Sequence, residues 1–333
     1  MDLRIYGQLG ILSFRKQVEL IKRAAEDLGY RVILVDIQTP VKPFQGHVGN
    51  QIQFIVGMPH LLMWAFRYGW KAYADRSLCY TTVEGRPKVN KHIQNLLRGF
   101  RVVGVSRFAA ERLAEVGAKV EGWVPHALDP VEIDQALGIP RDKHEIFRVG
   151  YVGSPIPRKG LMLLNEAAKI VWDRGYKNIE FILWTQKWGD CPLPEGPNIH
   201  IQELFGSRPH LEVLYFMRSL DLYVQPSLAE GFCIPIIEAQ ALGIPVVSSS
   251  GGPMGELNNP KLGYVVNPTE LRLEDHGMGQ DFYCYYYDPR DMADKIIEAY
   301  ENPSQRDEKG LKALDQSKEY YYDKVYPRLL RML

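Results

Sequence analysis

Two glutamates separated by seven residues, Glu230 and Glu238, bound the stretch Glu230-Gly-Phe-Cys-Ile-Pro-Ile-Ile-Glu238. A strand-like run, Leu222-Tyr-Val-Gln-Pro226, leads in, and a helix-like run over 235–242 leads out. Proline is pre-set for the first helical position, so Pro235 predicts the helix start. The backbone N–H groups of Phe232, Cys233 and Ile234 then lie at a helix N-terminus. Unpaired donors and the helix dipole favour an anion there, usually a phosphate. Gly231 lets the backbone approach a ligand closely. Glu238, at the end of the first turn, can accept hydrogen bonds from two neighbouring hydroxyls, as on a ribose. Glu230, just before the turn, can hold a second polyol. This suits a phosphate with a sugar on each side, the plan of a nucleotide sugar. The plainer reading is a strand–loop–helix with two solvated acids.

Short apolar β-like runs alternate with helical patterns along the whole chain, the mark of parallel sheets covered on both faces. Strands are expected over 3–7, 31–36, 52–57, 77–83, 101–106 and 119–124. A helix over 12–28 carries Val18, Ile21, Ala25 and Leu28 at helical spacing and closes at Gly29. A polar loop over 39–50 and a helix from Pro59 complete one Rossmann-like domain, 1–125. Residues 126–146, with Pro130 and Pro140 and no long apolar run, read as a linker. A second α/β series over 147–315 has strands at 148–153, 179–185, 199–204, 222–226, 245–250 and 264–267, with helices at 161–172 and 210–219. The final segment, 316–333, is helical by pattern. Residues 269–289, with Asp281-Phe-Tyr-Cys-Tyr-Tyr-Tyr-Asp288, read as an insertion whose tyrosines pack on the domain or offer an aromatic sugar platform.

Composition narrows the classes. The 333 residues suffice for about two domains, and 46% hydrophobic residues can bury a core in each. Forty basic residues balance forty acidic ones, so bulk electrostatic attraction to nucleic acid or an anionic membrane is not expected. Cys79, Cys191, Cys233 and Cys284 form no Cys-x-x-Cys pair and read as reduced thiols. With no signal peptide or bilayer-spanning run, the expectation is a cytoplasmic protein. Peripheral membrane contact through the apolar Leu61-Leu-Met-Trp-Ala-Phe66 stays open beside a buried helix face. The dinucleotide fingerprint Gly-x-Gly-x-x-Gly and the Lys-Ser/Thr phosphate loop are absent, which argues against nicotinamide enzymes and P-loop NTPases. No Asp-x-Asp occurs and the histidines lack metal-ligand spacing, so neither a metal nor another cofactor is expected.

The Glu230–Glu238 stretch, continued by Ala239-Gln-Ala-Leu-Gly-Ile-Pro-Val-Val-Ser-Ser-Ser-Gly-Gly252 and Glu256, resembles the donor motif of the retaining GT-B glycosyltransferases of family 4. The resemblance is strongest over 147–256 and faint over 37–76. It implies a GT-B fold, two Rossmann-like domains facing across a cleft, with the C-terminal helix returning to the N-terminal domain. It implies a nucleotide-sugar donor and a sugar, lipid or protein acceptor. Gly150-Tyr-Val-Gly-Ser-Pro-Ile-Pro-Arg-Lys-Gly160 is similar to the family's basic loop, so Arg158 and Lys159 would neutralise the diphosphate. Ser154 stands where many members carry the first arginine; either Arg158 replaces it or Ser154 supplies a hydrogen bond. In Gly7-Gln-Leu-Gly10, Gly10 matches the glycine that approaches the donor phosphates, and the plain reading is a tight turn. Val102-Val-Gly-Val-Ser-Arg107 and Trp123-Val-Pro-His-Ala-Leu-Asp129 resemble family segments, with His126 where asparagine is usual. Glu84, in Thr81-Thr-Val-Glu-Gly85, occupies a strand end where many relatives place a histidine near the sugar being transferred, and His60 is the other candidate on that face. Either can be structural, and a carboxylate at Glu84 can orient or deprotonate an acceptor hydroxyl. Catalytic candidates are thus Glu230, His60 and Glu84. The expected reaction is retaining sugar transfer to a hydroxyl. The rivals are a GT-B phosphorylase or epimerase, and a non-catalytic nucleotide-sugar binding protein.

Overall fold

The computed structural model describes residues 2–7, 9–10, 12–36, 50–56, 77–98, 101–141, 144–277 and 279–333. The loop expected over 39–50 falls mainly outside them, as do the helix from Pro59, His60 and Leu61–Phe66. The chain forms two units: Met1–Asp129 with Leu273–Tyr283 and Glu319–Leu333, and Pro130–Arg272 with Cys284–Lys318.

The first unit holds strands β1 (Asp2–Gly7), β2 (Arg31–Asp36), β3 (Asn50–Val56), β4 (Ser77–Thr82), β5 (Gly85–Pro87), β6 (Arg101–Gly104) and β7 (Lys119–Trp123). Six of them form one parallel sheet in the order β2-β1-β3-β4-β6-β7. Leu3, Ile5, Val102 and Val103 are fully buried in it. Helix Leu12–Asp27 turns Val18, Ile21 and Ala25 inward at its 3.6-residue period, and Gly29 ends it at φ +83°. The last helix, Tyr322–Leu330, packs on helix Leu12–Asp27 with Val325, Tyr326 and Leu329 buried. Tyr326 Oη donates to Gln17, whose Nε2 donates to Ala127 O at 3.0 Å. Asp129 takes Lys16 Nζ at 3.0 Å and Arg23 Nη1 at 2.7 Å. His126 lies buried against Tyr80 Oη at 3.2 Å, and burial pushes its imidazole down to about 3, so it is neutral.

The second unit contains β8 (Phe147–Val152), β9 (Ile179–Thr185), β10 (Ile199–Glu203), β11 (Leu222–Gln225), β12 (Val246–Ser249) and β13 (Tyr264–Val266). They form a parallel sheet in the order β10-β9-β8-β11-β12-β13. Every residue of β11 and β12 is buried, as expected of strands covered on both faces. Where the sequence reads as linker, Pro130–Leu137 is a helix: Pro130 opens it and Ile133 and Ala136 are buried on one face.

The 269–289 segment contains strands β14 (Glu270–Asp275) and β15 (Gln280–Tyr286). Gln280, Asp281 and Phe282 of β15 pair antiparallel with Pro87, Arg86 and Gly85 of β5. Gly85 permits this, since a Cβ there would lie 2.0 Å from Asp281 O. Buried Gln280 accepts the Glu84 N–H through its side chain at 2.9 Å, and the Tyr283 N–H donates to Glu84 O at 3.2 Å.

Candidate functional site

The site in the second unit is assembled from turns after parallel strands, where doubly wound sheets bind ligands. After β8 the chain makes one tight turn, Pro157–Lys159, closed by Gly160 at φ +68°. A Cβ at Gly160 would meet Pro226 O at 2.0 Å, so glycine alone lets this turn dock on the loop after β11. The Leu228 N–H donates to Arg158 O at 2.8 Å and fixes the docking. From behind, Tyr287 Oη donates to Pro226 O at 2.8 Å, and the Tyr285 N–H donates to Leu228 O at 2.9 Å. Tyr287 is buried, which is the packing role for the tyrosine-rich segment.

This docking carries Lys159 and Arg158 to Glu230. Lys159 Nζ donates to Glu230 Oε1 at 2.6 Å, and Ser227 Oγ donates to the same oxygen at 2.7 Å. Arg158 Nη1 stands 3.7 Å from Oε2 and donates to Ala229 O at 3.1 Å. The Glu230 side chain is only 7% exposed. Burial opposes its charge, but Lys159 and Arg158 outweigh burial and hold the carboxyl below its usual range. Glu230 is therefore an anion, and the two cations leave the cluster net positive.

Between the glutamates the backbone is strained. Cys233 has φ +85° and ψ +69°, and is the one non-glycine residue with positive φ among the described residues. Left-handed backbone at a non-glycine costs about 1–2 kcal/mol and concentrates at functional turns. Cys233 caps helix Ile234–Ala241, so the helix begins one residue before Pro235. The leading N–H groups of any helix lack intrahelical acceptors, and this helix begins at that turn.

Glu238 is 9% exposed on the first turns of that helix and does not stand alone. His210 Nε2 lies 2.7 Å from Glu238 Oε1, and His210 Nδ1 lies 2.6 Å from Glu132 Oε2. Burial opposes charge on the ring, but the two carboxylates overcome it and raise His210 to about 10. Neither His210 nor Glu132 follows from the motif. Glu132 comes from the helix within the segment read as linker, and His210 is the first residue of helix His210–Arg218.

The structure thus brings Arg158, Lys159 and Glu230 into direct contact, and puts Phe232, Cys233, Ile234 and Glu238 on the turn and helix that follow. Ser154 is buried after β8, its carbonyl accepting Tyr151 Oη at 3.0 Å. Gly10 lies in an exposed turn of the first unit, and Glu84 is half-buried in the bend between β4 and β5 of the same unit. His60 lies outside the described residues. No described helix is long and apolar enough to cross a membrane.

Comparison with known proteins agrees with this architecture. An uncharacterized glycosyltransferase of Sulfolobus islandicus rod-shaped virus 1 is 24% identical over 80% of this chain and 82% of its own length. An uncharacterized glycosyltransferase of Methanocaldococcus jannaschii is 27% identical over 52% of this chain, which spans only 44% of that relative. Among solved structures, a glycosyltransferase from Rickettsia africae aligns with a TM-score of 0.73 at 14% identity, covering 99% of this chain and 97% of that one. HepE of Anabaena, solved in complex with UDP-glucose, aligns with a TM-score of 0.68 at 16% identity over the whole of both chains. At such identity the likeness shows the fold, which is GT-B: two Rossmann-like domains, with the C-terminal helix back on the first. The family model described as glycosyl transferases group 1 matches residues 132–314. That span is more than half of the chain and contains the whole glutamate, lysine and histidine cluster, and the chain belongs to the glycosyl transferases group 1 family.

Proposed function

We propose that this group 1 glycosyltransferase moves a sugar from a nucleoside diphosphate sugar to an acceptor hydroxyl, with retention and without a metal ion. The observation that carries the reading is the net-positive Arg158–Lys159–Glu230 cluster beside the strained Cys233 turn. Lys159, Arg158 and the amides of Phe232, Cys233 and Ile234 meet the diphosphate and stabilise it as it leaves. Ser154 and Gly10 are further donor contacts in this reading. Glu238 accepts from the ribose hydroxyls, and Glu230 orients the transferred sugar. Glu84 and His60 are the candidates for handling the acceptor proton. No carboxylate is assigned as nucleophile, so transfer proceeds on one face of the sugar, assisted by the departing phosphate. The acceptor is a sugar, a lipid or a protein hydroxyl.

Thermal stabilisation by UDP, GDP and ADP tests the donor site in wild type and Glu238→Ala. A ligand at a hundred times its Kd stabilises by roughly 2.7 kcal/mol. One diphosphate should stabilise the wild type and lose most of that effect in the variant. An equal response in both removes Glu238 from the site. Activity unaffected by a chelator tests metal independence, and a trapped covalent glycosyl-enzyme would overturn the one-face mechanism.

A further inference from the structure

We propose that His210, pinned by Glu132, is a positioning residue that holds one oxygen of Glu238 so that the other is presented to the ribose hydroxyls of the donor. The proposal rests on the reading of Glu238 as the ribose contact.

The geometry is specific. Three separate helices, Pro130–Leu137, His210–Arg218 and Ile234–Ala241, each contribute one side chain. Both ring nitrogens of His210 lie at carboxylate oxygens, 2.6 Å from Glu132 and 2.7 Å from Glu238. Carboxylates only accept, so both contacts require N–H donors, and a neutral imidazole has one. The ring satisfies both as an imidazolium, in keeping with the direction its two neighbours impose on its titration.

Three consequences follow for Glu238. Its side chain is nearly buried, so its charge needs compensation, and the imidazolium supplies it. Its Oε1 is occupied by His210, while Oε2 accepts no hydrogen bond from the described residues. A carboxylate oxygen with both lone pairs available suits two adjacent O–H donors, the arrangement of a ribose diol. Glu132 removes the remaining freedom. An imidazole held at one nitrogen can swing about that bond, whereas one held at both cannot. The carboxylate is then oriented before the ligand arrives, and pre-set geometry is what turns contacts into affinity.

Binding of UDP, GDP and ADP, each beside its 2′-deoxy counterpart, tests this by calorimetry in wild type, Glu238→Ala, His210→Ala, His210→Gln and Glu132→Gln. A hydrogen bond to a charged group contributes about 1.5–3 kcal/mol, so the wild type should prefer the ribose form by roughly 10- to 100-fold. His210→Ala should lose most of that preference while binding the 2′-deoxy form as wild type does. His210→Gln and Glu132→Gln, which keep a polar partner in place, should retain a part of it, and they give the same readout if the alanine variant does not fold. A merely structural histidine would weaken both forms equally. Full ribose preference in the His210 variants, with preference lost in Glu238→Ala, overturns the role of His210 alone. Full preference in Glu238→Ala, or no binding of any diphosphate to wild type, overturns the ribose contact and this inference with it.

Discussion

Replacing Lys159 by alanine should strand a buried charge, and a second substitution should undo the damage. Glu230 is 7% exposed, and its partners are Lys159 at 2.6 Å, Ser227 at 2.7 Å, the Gln225 amide at 3.5 Å and Arg158 at 3.7 Å. Removing one member of a buried ion pair typically costs 3–5 kcal/mol because the other charge is left uncompensated. Here Ser227 and Arg158 still serve the carboxylate, which lowers the expected cost of Lys159→Ala to about 2–3 kcal/mol. Glu230→Gln alone removes the charge that needs compensation, and Lys159→Ala/Glu230→Gln should therefore be more stable than Lys159→Ala by 1 kcal/mol or more, on the order of coupling seen between contacting residues. Urea denaturation of the four proteins, followed by near-ultraviolet circular dichroism, reads this cycle. Acid provides an independent check. Glu230 is held below its unfolded value, so its contribution is present above that value, near 4.5, and is lost as pH falls through the lower folded value. The gap between wild type and Lys159→Ala should thus narrow in acid, where Glu230 takes a proton. The reasoning is refuted if Lys159→Ala costs less than about 0.5 kcal/mol, the range of an ordinary surface change, or if Glu230→Gln adds to the loss.

His210 should titrate in the opposite sense. Its folded value is raised to about 10, so its stabilisation is complete below its unfolded value near 6.5 and disappears as pH rises through about 10. The ceiling is about 5 kcal/mol at 1.36 kcal/mol per unit; melts of wild type and His210→Gln should differ at pH 7 and converge near pH 10.5. At Cys233, glycine should be better tolerated than alanine: alanine keeps the left-handed strain and loses the sulfur, whereas glycine relieves about 1 kcal/mol of it. Chemical denaturation of both variants should give that order, the reverse of ordinary helix preference. Gly160→Ala should cost 2 kcal/mol or more, since φ is +68° and the added Cβ meets Pro226 O at 2.0 Å; a soluble variant with wild-type stability contradicts the docking.

Much of this was legible before any coordinates. Apolar runs placed the strands of both sheets to within a residue or two, because parallel strands covered on both faces need continuous apolar sequence. The Glu230–Glu238 spacing and the Arg158-Lys159-Gly160 loop are local patterns, and local patterns survive in a one-dimensional reading. Glu132 and His210 do not, since they lie 78 residues apart and meet through the packing of helices. The signal for β15 was in plain view: Gln280, Phe282 and Cys284 alternate inward at the period of a strand. What concealed it was its partner, the three-residue β5, too short to announce itself. Helix Pro130–Leu137 was hidden among prolines, although Pro130 marks its start.

The small strand β5 also bears on how such a chain can be recombined. The polypeptide passes between the two units four times, at residues 129/130, 272/273, 283/284 and 318/319. The family match over 132–314 encloses the hairpin tip Leu273–Tyr283, yet that tip pairs with Gly85–Pro87 far upstream. A chimera joined near residue 131 would therefore import a tip evolved for one β5 and set it against another. The second unit of this protein is not a cassette. Exchange of first units, in the laboratory or in descent, must carry residues 85–87 and 273–283 together, as a matched pair inherited across nearly two hundred intervening positions.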